Sequence, residues 1–414
     1  MTVVPTGWML YTPHDIAGLA KDALVIGPFG SNLKTSDYRD EGVPLVFVKD
    51  IRAEDFSHPR AYVSTAKAAE LKAHQVLPGD ILITKMGDPP GDVTIYDGDV
   101  PGIITADCIR LRPTVGFDRK YLVHSLRTPN ARRQIDAITT GAAQKKVSLD
   151  RFRTRLHIAA PSLANQKRIA AVLDQVDTLR AKRRQAITLL DDLEQSIFLD
   201  AFGDPMRVAW SAETVADAGV VQLGRQRAPK YQTGQHSRSY LRVANVFEDR
   251  IDFDDVLQMD FDDSDFQKYC LKPGDILLNE GQSTELVGRP AMWRGERDGF
   301  CFQNTLVRFQ ACDRVLPEYA LAVFLRYFRT GEFAKISSKT SSVAHLGAAR
   351  FAKMPFHIPP MESQEKFREL ASVVRQQRER NAEHLATLDE LFTSLQHRAF
   401  SGTLWDHEAS GEAA

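Results

Sequence analysis

Cysteine is scarce in this chain: Cys108, Cys270, Cys301 and Cys312 are the only four in 414 residues. They are scattered and form no C-x-x-C pair, so neither a zinc site nor a disulfide framework is expected. No apolar run approaches the ~20 residues needed to span a bilayer. The opening MTVVPTGWMLYTPHD lacks the basic start and long apolar stretch of a secretory signal. A cytoplasmic protein is expected. Excess charge is missing too: 53 basic residues stand against 54 acidic ones. That balance leaves a nucleic-acid partner possible, because the distribution of charge matters there.

Catalytic signatures are also absent. No G-x-x-x-x-G-K-S/T loop, H-E-x-x-H helix or G-x-S-x-G elbow occurs, which removes the motif basis for an NTPase, a zincin or an α/β-hydrolase. GDPPGD (Gly87 to Asp92) resembles the Asp-Pro-Pro-aromatic motif of amino-methyltransferases. Gly91 stands where the aromatic ring would be, and no glycine-rich cofactor loop follows an upstream strand, so a proline turn is expected. No catalytic residue and no metal ligand is assigned.

What the chain does contain is written twice. LPGDILITK begins at Leu77 and LKPGDILLNE at Leu271. At a shift of 198 residues, RLHIAAPSLANQKRI (Arg155 to Ile169) falls on KMPFHIPPMESQEKF (Lys353 to Phe367). LLDDLEQSIFLDAF (Leu189 to Phe202) falls on TLDELFTSLQHRAF (Thr387 to Phe400), and Tyr121 falls on Tyr319. A repeat this long means two complete domains and not solenoid units. Each half opens with strand-like runs such as VPLVFVKDI, DILITK and GIITADCIRLRP, punctuated by turns. Each then passes through Pro161 or Pro359 into a long helical pattern, since the residue before proline leaves the helical region.

The expected fold class is α+β: two duplicated globular domains separated by two long helices. The expected divisions are 1–160, 161–203, 204–358 and 359–402, with 403–414 a disordered tail. In the first helix a heptad seam runs through Ile169, Val172, Val176, Leu179, Arg183, Ala186, Leu190, Leu193 and Ile197. The second keeps that register at Phe367, Leu370, Val374, Gln377, Asn381, His384, Leu388, Leu391 and Leu395. Steps of three and four mark a coiled-coil seam, polar in its middle. The seam is compatible with parallel or antiparallel pairing, and with each helix packing only on its own domain. At ~1.5 Å per residue, helices this long reach ~50 Å, so bridging is expected.

Charge is segregated along the chain. Between Arg110 and Arg155 stand twelve basic residues, opposed by Asp118, Asp136 and Asp150. The matching stretch of the second half carries Arg308, Arg314, Arg326, Arg329, Lys335, Lys339, Arg350 and Lys353. A basic tract in the same place in both repeats fits a surface that tracks phosphates; the plainer alternative is a face whose counter-charges lie on another segment. TGAAQKKVS (Thr140 to Ser148) and SSKTSSVAH (Ser337 to His345) are matching polar loops able to approach a nucleic acid closely. Candidate DNA contacts are Lys34, Lys85, Arg132, Arg133, Gln144, Lys145 and Lys146 in the first half. In the second half they are Arg289, Gln303, Asn304, Lys335 and Lys339.

The alternation of a variable domain, PSLANQKRIAAVLDQVDTL, a second variable domain and PPMESQEKFRELASVV resembles the specificity subunit of type I restriction–modification systems. IGPFGSNLKTSDY (Ile26 to Tyr38), with GVPLVFVKDI close behind, is similar to the start of that family's first target-recognition domain. The resemblance spans residues 1 to 404. It implies two target-recognition domains on an antiparallel, pseudo-two-fold helix pair, each reading one half of a split, asymmetric DNA sequence. It also implies no catalysis in this chain and docking of two methyltransferase subunits, and through them two motor-nuclease subunits. S-adenosylmethionine, ATP and Mg would then belong to those partners, with no cofactor bound here. The competing expectations are a stand-alone DNA methyltransferase or nuclease, and a purely structural coiled-coil scaffold.

Overall fold

The structure, a computed structural model, describes residues 4–142, 144–205, 213–228, 232–339 and 343–405. The chain divides into two compact units. One is Met1–Arg183 with Glu383–Ala414; the other is Arg184–Ala382. Both divisions fall inside a long helix.

The first unit centres on a four-stranded antiparallel sheet in the order Leu24–Ile26, Cys108–Leu111, Ile81–Thr84, Val93–Ile95. The second unit repeats it with Gly219–Leu223, Leu306–Ala311, Ile276–Asn279 and Pro290–Met292. Each unit also holds one parallel pair: Val43–Val46 with Gly102–Ile104, and Ser237–Leu241 with Cys301–Phe302. The central strands ILIT and ILLN are buried at every residue, as a continuous apolar run requires.

The twice-written Pro-Gly-Asp turn feeds these central strands. Gly79 and Gly274 sit at φ +89° and +93°, a left-handed conformation that glycine adopts without a Cβ penalty. The Asp80 carboxylate then accepts from Leu77 N at 2.8 Å, and that of Asp275 from Lys272 N at 3.0 Å. Each turn is thereby closed by its own side chain.

One expected strand is shorter than its apolar run. In VPLVFVKDI only Val43–Val46 is extended, and Val48–Ala53 is helical. Phe47 N donates to the Asp50 carboxylate at 2.8 Å, so a cap three residues on starts a helix inside the run.

The long helices are Leu163–Phe202 and Met361–Ser401, each ~60 Å at ~1.5 Å per residue. Both are locked at their starts by the glutamine of the Pro-x-x-x-x-Gln block. Gln166 is buried, accepts from Asp118 N and donates to Pro161 O, both at 2.9 Å. Gln364 is fully buried, accepts from Leu316 N at 2.8 Å, and donates to Arg314 O and Pro359 O at 2.9 Å. Tyr121 and Tyr319 add a matched bond from their hydroxyls to Ala159 O and His357 O.

Within each unit the helices run antiparallel, since numbers rising on one meet numbers falling on the other. In the first unit Arg180 pairs with Asp389 at 2.6 Å and lies 4.4 Å from the Phe392 ring centre. In the second, Asp191 pairs with Arg378 at 2.9 Å, and Phe198 and Phe202 pack on Phe367.

The covered stripe departs from the expected seam at Leu179 and Leu193 of the first helix and at every second position of the second. Ile169, Val176, Phe367 and Val374 are buried, and Leu190, Ile197, Leu388 and Leu395 are half-buried, as is Val172. Leu179, Leu193, Leu370 and Leu391 face solvent, 41–54% exposed. The residue after each is covered instead: Arg180, Glu194, Ala371 and Phe392. Arg180 and Arg378 occupy the stripe because each is neutralised by an acid on the opposing helix, which removes the cost of covering a charge.

Residues 403–405, expected to open a disordered tail, are described in the structure. Leu404 is buried and the Arg168 guanidinium lies 4.1 Å from the Trp405 ring centre; residues 406–414 lie outside the described residues. Among the described residues no helix is long and apolar enough to cross a membrane.

Candidate nucleic-acid interface

In each unit a β-hairpin bearing several of the candidates is attached at one end of the sheet, the end where the central strand finishes. In the first unit Ile81–Thr84 continues into Lys85. Val147 N donates to Lys85 O and Gly87 N to Lys145 O. These bonds attach a hairpin, Thr139–Thr140 with Lys146–Val147, to the segment leaving the sheet. The Thr84 hydroxyl accepts from Gly91 N and Asp92 N at 2.9 and 2.8 Å, closing the Pro-rich turn beneath the hairpin. The loop carrying Lys34 leaves the same end, where Gly27 N donates to Cys108 O.

The second unit is built alike. Gly281–Gln282 pairs with Ala344–His345, which pairs with Ser338–Lys339. The turn bearing Gln303 and Asn304 adjoins it, because Glu280 N donates to Thr305 O. Thus the two stretches expected to be loops are β-hairpins. Ala143 and residues 340–342 within them lie outside the described residues.

Part of the basic tract is neutralised inside each unit. Arg110 is buried and donates to Gln75 O, and Arg112 forks onto Asp80 at 2.8 and 2.7 Å. Arg127 pairs with Glu54, Arg132 with Asp92, and Lys120 with Asp174. In the second unit Arg308 is buried on Asp275, while Arg314, Arg326, Arg329 and Lys335 pair with Glu213, Asp204, Glu248 and Glu332. The counter-charges come from other segments, so an even phosphate-tracking tract does not form.

The twelve candidate contacts therefore separate. Gln144 and Lys146 on one hairpin, Lys339 on the other, and Lys34 are exposed. Lys145 is exposed and pairs with Asp88 at 2.7 Å; an exposed pair of this kind is screened by solvent and exchanges readily. Gln303 and Asn304 are half-exposed. Lys85 is turned back, donating to Ala106 O at 3.1 Å. Arg289 is also structural: it donates to Val246 O at 3.0 Å and covers the Phe247 ring, and burial pulls its pKa down. Arg132 holds Asp92 together with Arg52, 2.8 Å away on the other side. Burial opposes the charge on Asp92, but the two guanidiniums outweigh it and hold the carboxyl below its usual range. Arg133 is exposed on its helix, and Lys335 is tied to Glu332.

Sequence reading missed the acids at this end. Asp88 holds Lys145. Glu280 accepts from Gly347 N and lies 2.9 Å from His345 Nδ1. The available signal was position: both closely follow the repeated central strand. Among the described residues no cluster of His, Cys, Asp and Glu is arranged to hold a metal ion.

The chain's relatives agree with this architecture. Residues 33–189 match the family model described as the type I restriction modification DNA specificity domain. The chain is similar to the type I restriction enzyme EcoKI specificity subunit of Escherichia coli K12, 20% identical over 97% of this chain and 90% of the relative. It is also similar to the StySPI specificity subunit of Salmonella potsdam, 24% identical over 63% of this chain and 59% of that one. In fold it resembles the type I restriction–modification S subunit of M. genitalium, with TM-score 0.56, 12% identity, and 95% and 96% of the two chains covered. A chain from a structure of type I system assembly and conformational transition matches with TM-score 0.50 at 15% identity, over 97% of this chain and all of that one. These define a DNA-specificity fold. Over nearly its whole length the chain is similar to specificity subunits of type I restriction–modification systems.

Proposed function

We propose that this chain reads a split, asymmetric DNA sequence, with each unit contacting one half through the hairpin end of its sheet. The observation that carries this reading is a contrast in how the cations are used. Several arginines of each tract are held by acids of their own unit, while Gln144, Lys145 and Lys146 on one hairpin and Lys339 on the other are exposed, Lys145 in an exposed pair with Asp88. A two-stranded ribbon fits the ~12 Å major groove, where each base pair shows a distinct donor and acceptor pattern. The two hairpins differ in sequence, so the half-sites differ. The long helices set the gap between them.

The chain recognises and does not catalyse, as its relatives' names as specificity subunits indicate. Two methyltransferase subunits dock on it, and two motor-nuclease subunits through them. S-adenosylmethionine, ATP and Mg are bound by those partners and none by this chain, which acts in the cytoplasm.

A salt titration of DNA binding tests the reading. In the assembled complex, K145A/K146A is expected to weaken binding to the target about tenfold at low salt. It should also reduce the slope of log affinity against log salt by about two, one for each lysine that no longer neutralises a phosphate. An unchanged slope would remove the hairpin from the interface.

A further inference from the structure

The end of the first unit's sheet away from the hairpin carries a surface whose residues the second unit does not repeat. A cleft of about 540 Å³ lies between the Pro-Gly-Asp turn and the start of the first long helix, lined by Val115, Phe117, Arg119, Lys120, Leu163 and Lys167. Arg119 lies along the turn: a Cβ on Gly79 would meet its Nη1 at 2.9 Å. Val115 is 97% exposed. Leu19 is also fully exposed, following Gly18, which borders Thr114.

Two acids border the cleft, and both are engaged. Asp118 accepts from Tyr121 N at 2.9 Å, and Asp174 holds Lys120 at 2.6 Å. Arg119 and Lys167 are left exposed as the cations of this surface.

At the matching positions of the second unit the chemistry is reversed. Asp313, Pro317, Glu318 and Glu365 stand where Val115, Arg119, Lys120 and Lys167 stand in the first. There the Pro317 ring covers the turn, with its Cγ 3.0 Å from a Cβ on Gly274, and Val315 in place of Phe117 is buried. Buried features such as Gln166 and Gln364, or Tyr121 and Tyr319, are kept alike in both units, while this surface changes sign. A sign change with retained folding chemistry places the difference on the side of recognition.

We propose that this cleft docks an acidic segment bearing an apolar side chain, supplied by the methyltransferase subunit, so that the first unit holds its partner by contacts that the second unit does not have. The proposal rests on the function proposed above. DNA is the less favoured occupant because the central strand separates the cleft from the hairpin: it begins at the Pro-Gly-Asp turn and ends at Lys85. Charge complementarity of this kind sets partner choice and association rate, and depends strongly on salt.

The test is titration of the full-length chain with its cognate methyltransferase subunit at several salt concentrations, read by native mass spectrometry. Wild type, R119E/K167E and E318K/E365K are compared, with K167Q as a milder variant and DNA binding followed in parallel. Two binding steps are expected for the wild type. R119E/K167E should weaken one step about tenfold and flatten its salt dependence, K167Q should do so less, and E318K/E365K should leave that step unchanged. Equal binding by wild type and R119E/K167E, or equal weakening of both steps, overturns the proposal. So does loss of DNA affinity with methyltransferase binding intact, which would make the cleft a phosphate contact. A wild-type chain that binds no methyltransferase overturns the proposed function itself, an outcome distinct from the others.

Discussion

Replacing Asp275 by alanine is expected to destabilise the second unit by about 3–5 kcal/mol, because it strands a buried guanidinium. Arg308 is 5% exposed and Asp275 4%. The arginine donates to Asp275 at 3.3 Å and to the carbonyls of Cys270 and Lys268, both at 3.1 Å. It also bonds Gln222, and lies 4.9 Å from the Phe302 ring centre. Burial pushes the Asp275 carboxyl up and the Arg308 guanidinium down. Both partners therefore carry a desolvation cost, offset by their mutual attraction together with the bonds from Lys272 N and Gln310 to the carboxylate and from the guanidinium to the Cys270 and Lys268 carbonyls. The same aspartate also closes the Pro-Gly-Asp turn and accepts from Gln310 at 2.8 Å. The matched variant Asp80→Ala should cost less, since Arg112, its partner, is 33% exposed and can turn to water. Chemical denaturation of both variants checks this: D275A should lose the second unit's transition first, and equal losses would contradict the argument.

Gln364→Ala should cost about 3 kcal/mol, the second large effect. The side chain is fully buried, and its removal leaves Leu316 N, Arg314 O and Pro359 O without their partner. Each unsatisfied buried group costs about 1–3 kcal/mol, and neighbouring losses are not additive. Gln364→Glu gives no relief, because a carboxylate accepts from Leu316 but cannot donate to two carbonyls. Thermal unfolding and amide exchange at the start of the second long helix read the effect. A near-wild-type melt for either variant would show that the glutamine lock contributes nothing.

These two residues also show how much could be read from the sequence. The duplication, the strand after each Pro-Gly-Asp turn and the long helices were legible because each rests on local chemistry: a glycine at positive φ, an apolar run, a proline ahead of a helix. Alternate positions of the helix seam were legible for the same reason. The intervening ones were not, because Arg180 and Arg378 are covered through acids on the other helix, and a rule that assigns covered positions to apolar residues cannot see a pair formed far along the chain. The basic tract misled in the same way. Arg127 finds Glu54, and Arg132 finds Asp92, partners that only the fold brings near. The hairpins were missed because their small polar residues look like any surface loop until the central strand's extension pairs with them.

Two unlike units that each read half of one target should exchange their specificities separately. The most direct test exchanges residues 204–354 for those of a relative with a different target, and maps methylation of DNA by the chimera assembled with its methyltransferase. One half-site should change to that of the donor, with the other half-site and the gap retained. A change in both half-sites, or a single uninterrupted target, would contradict the claim.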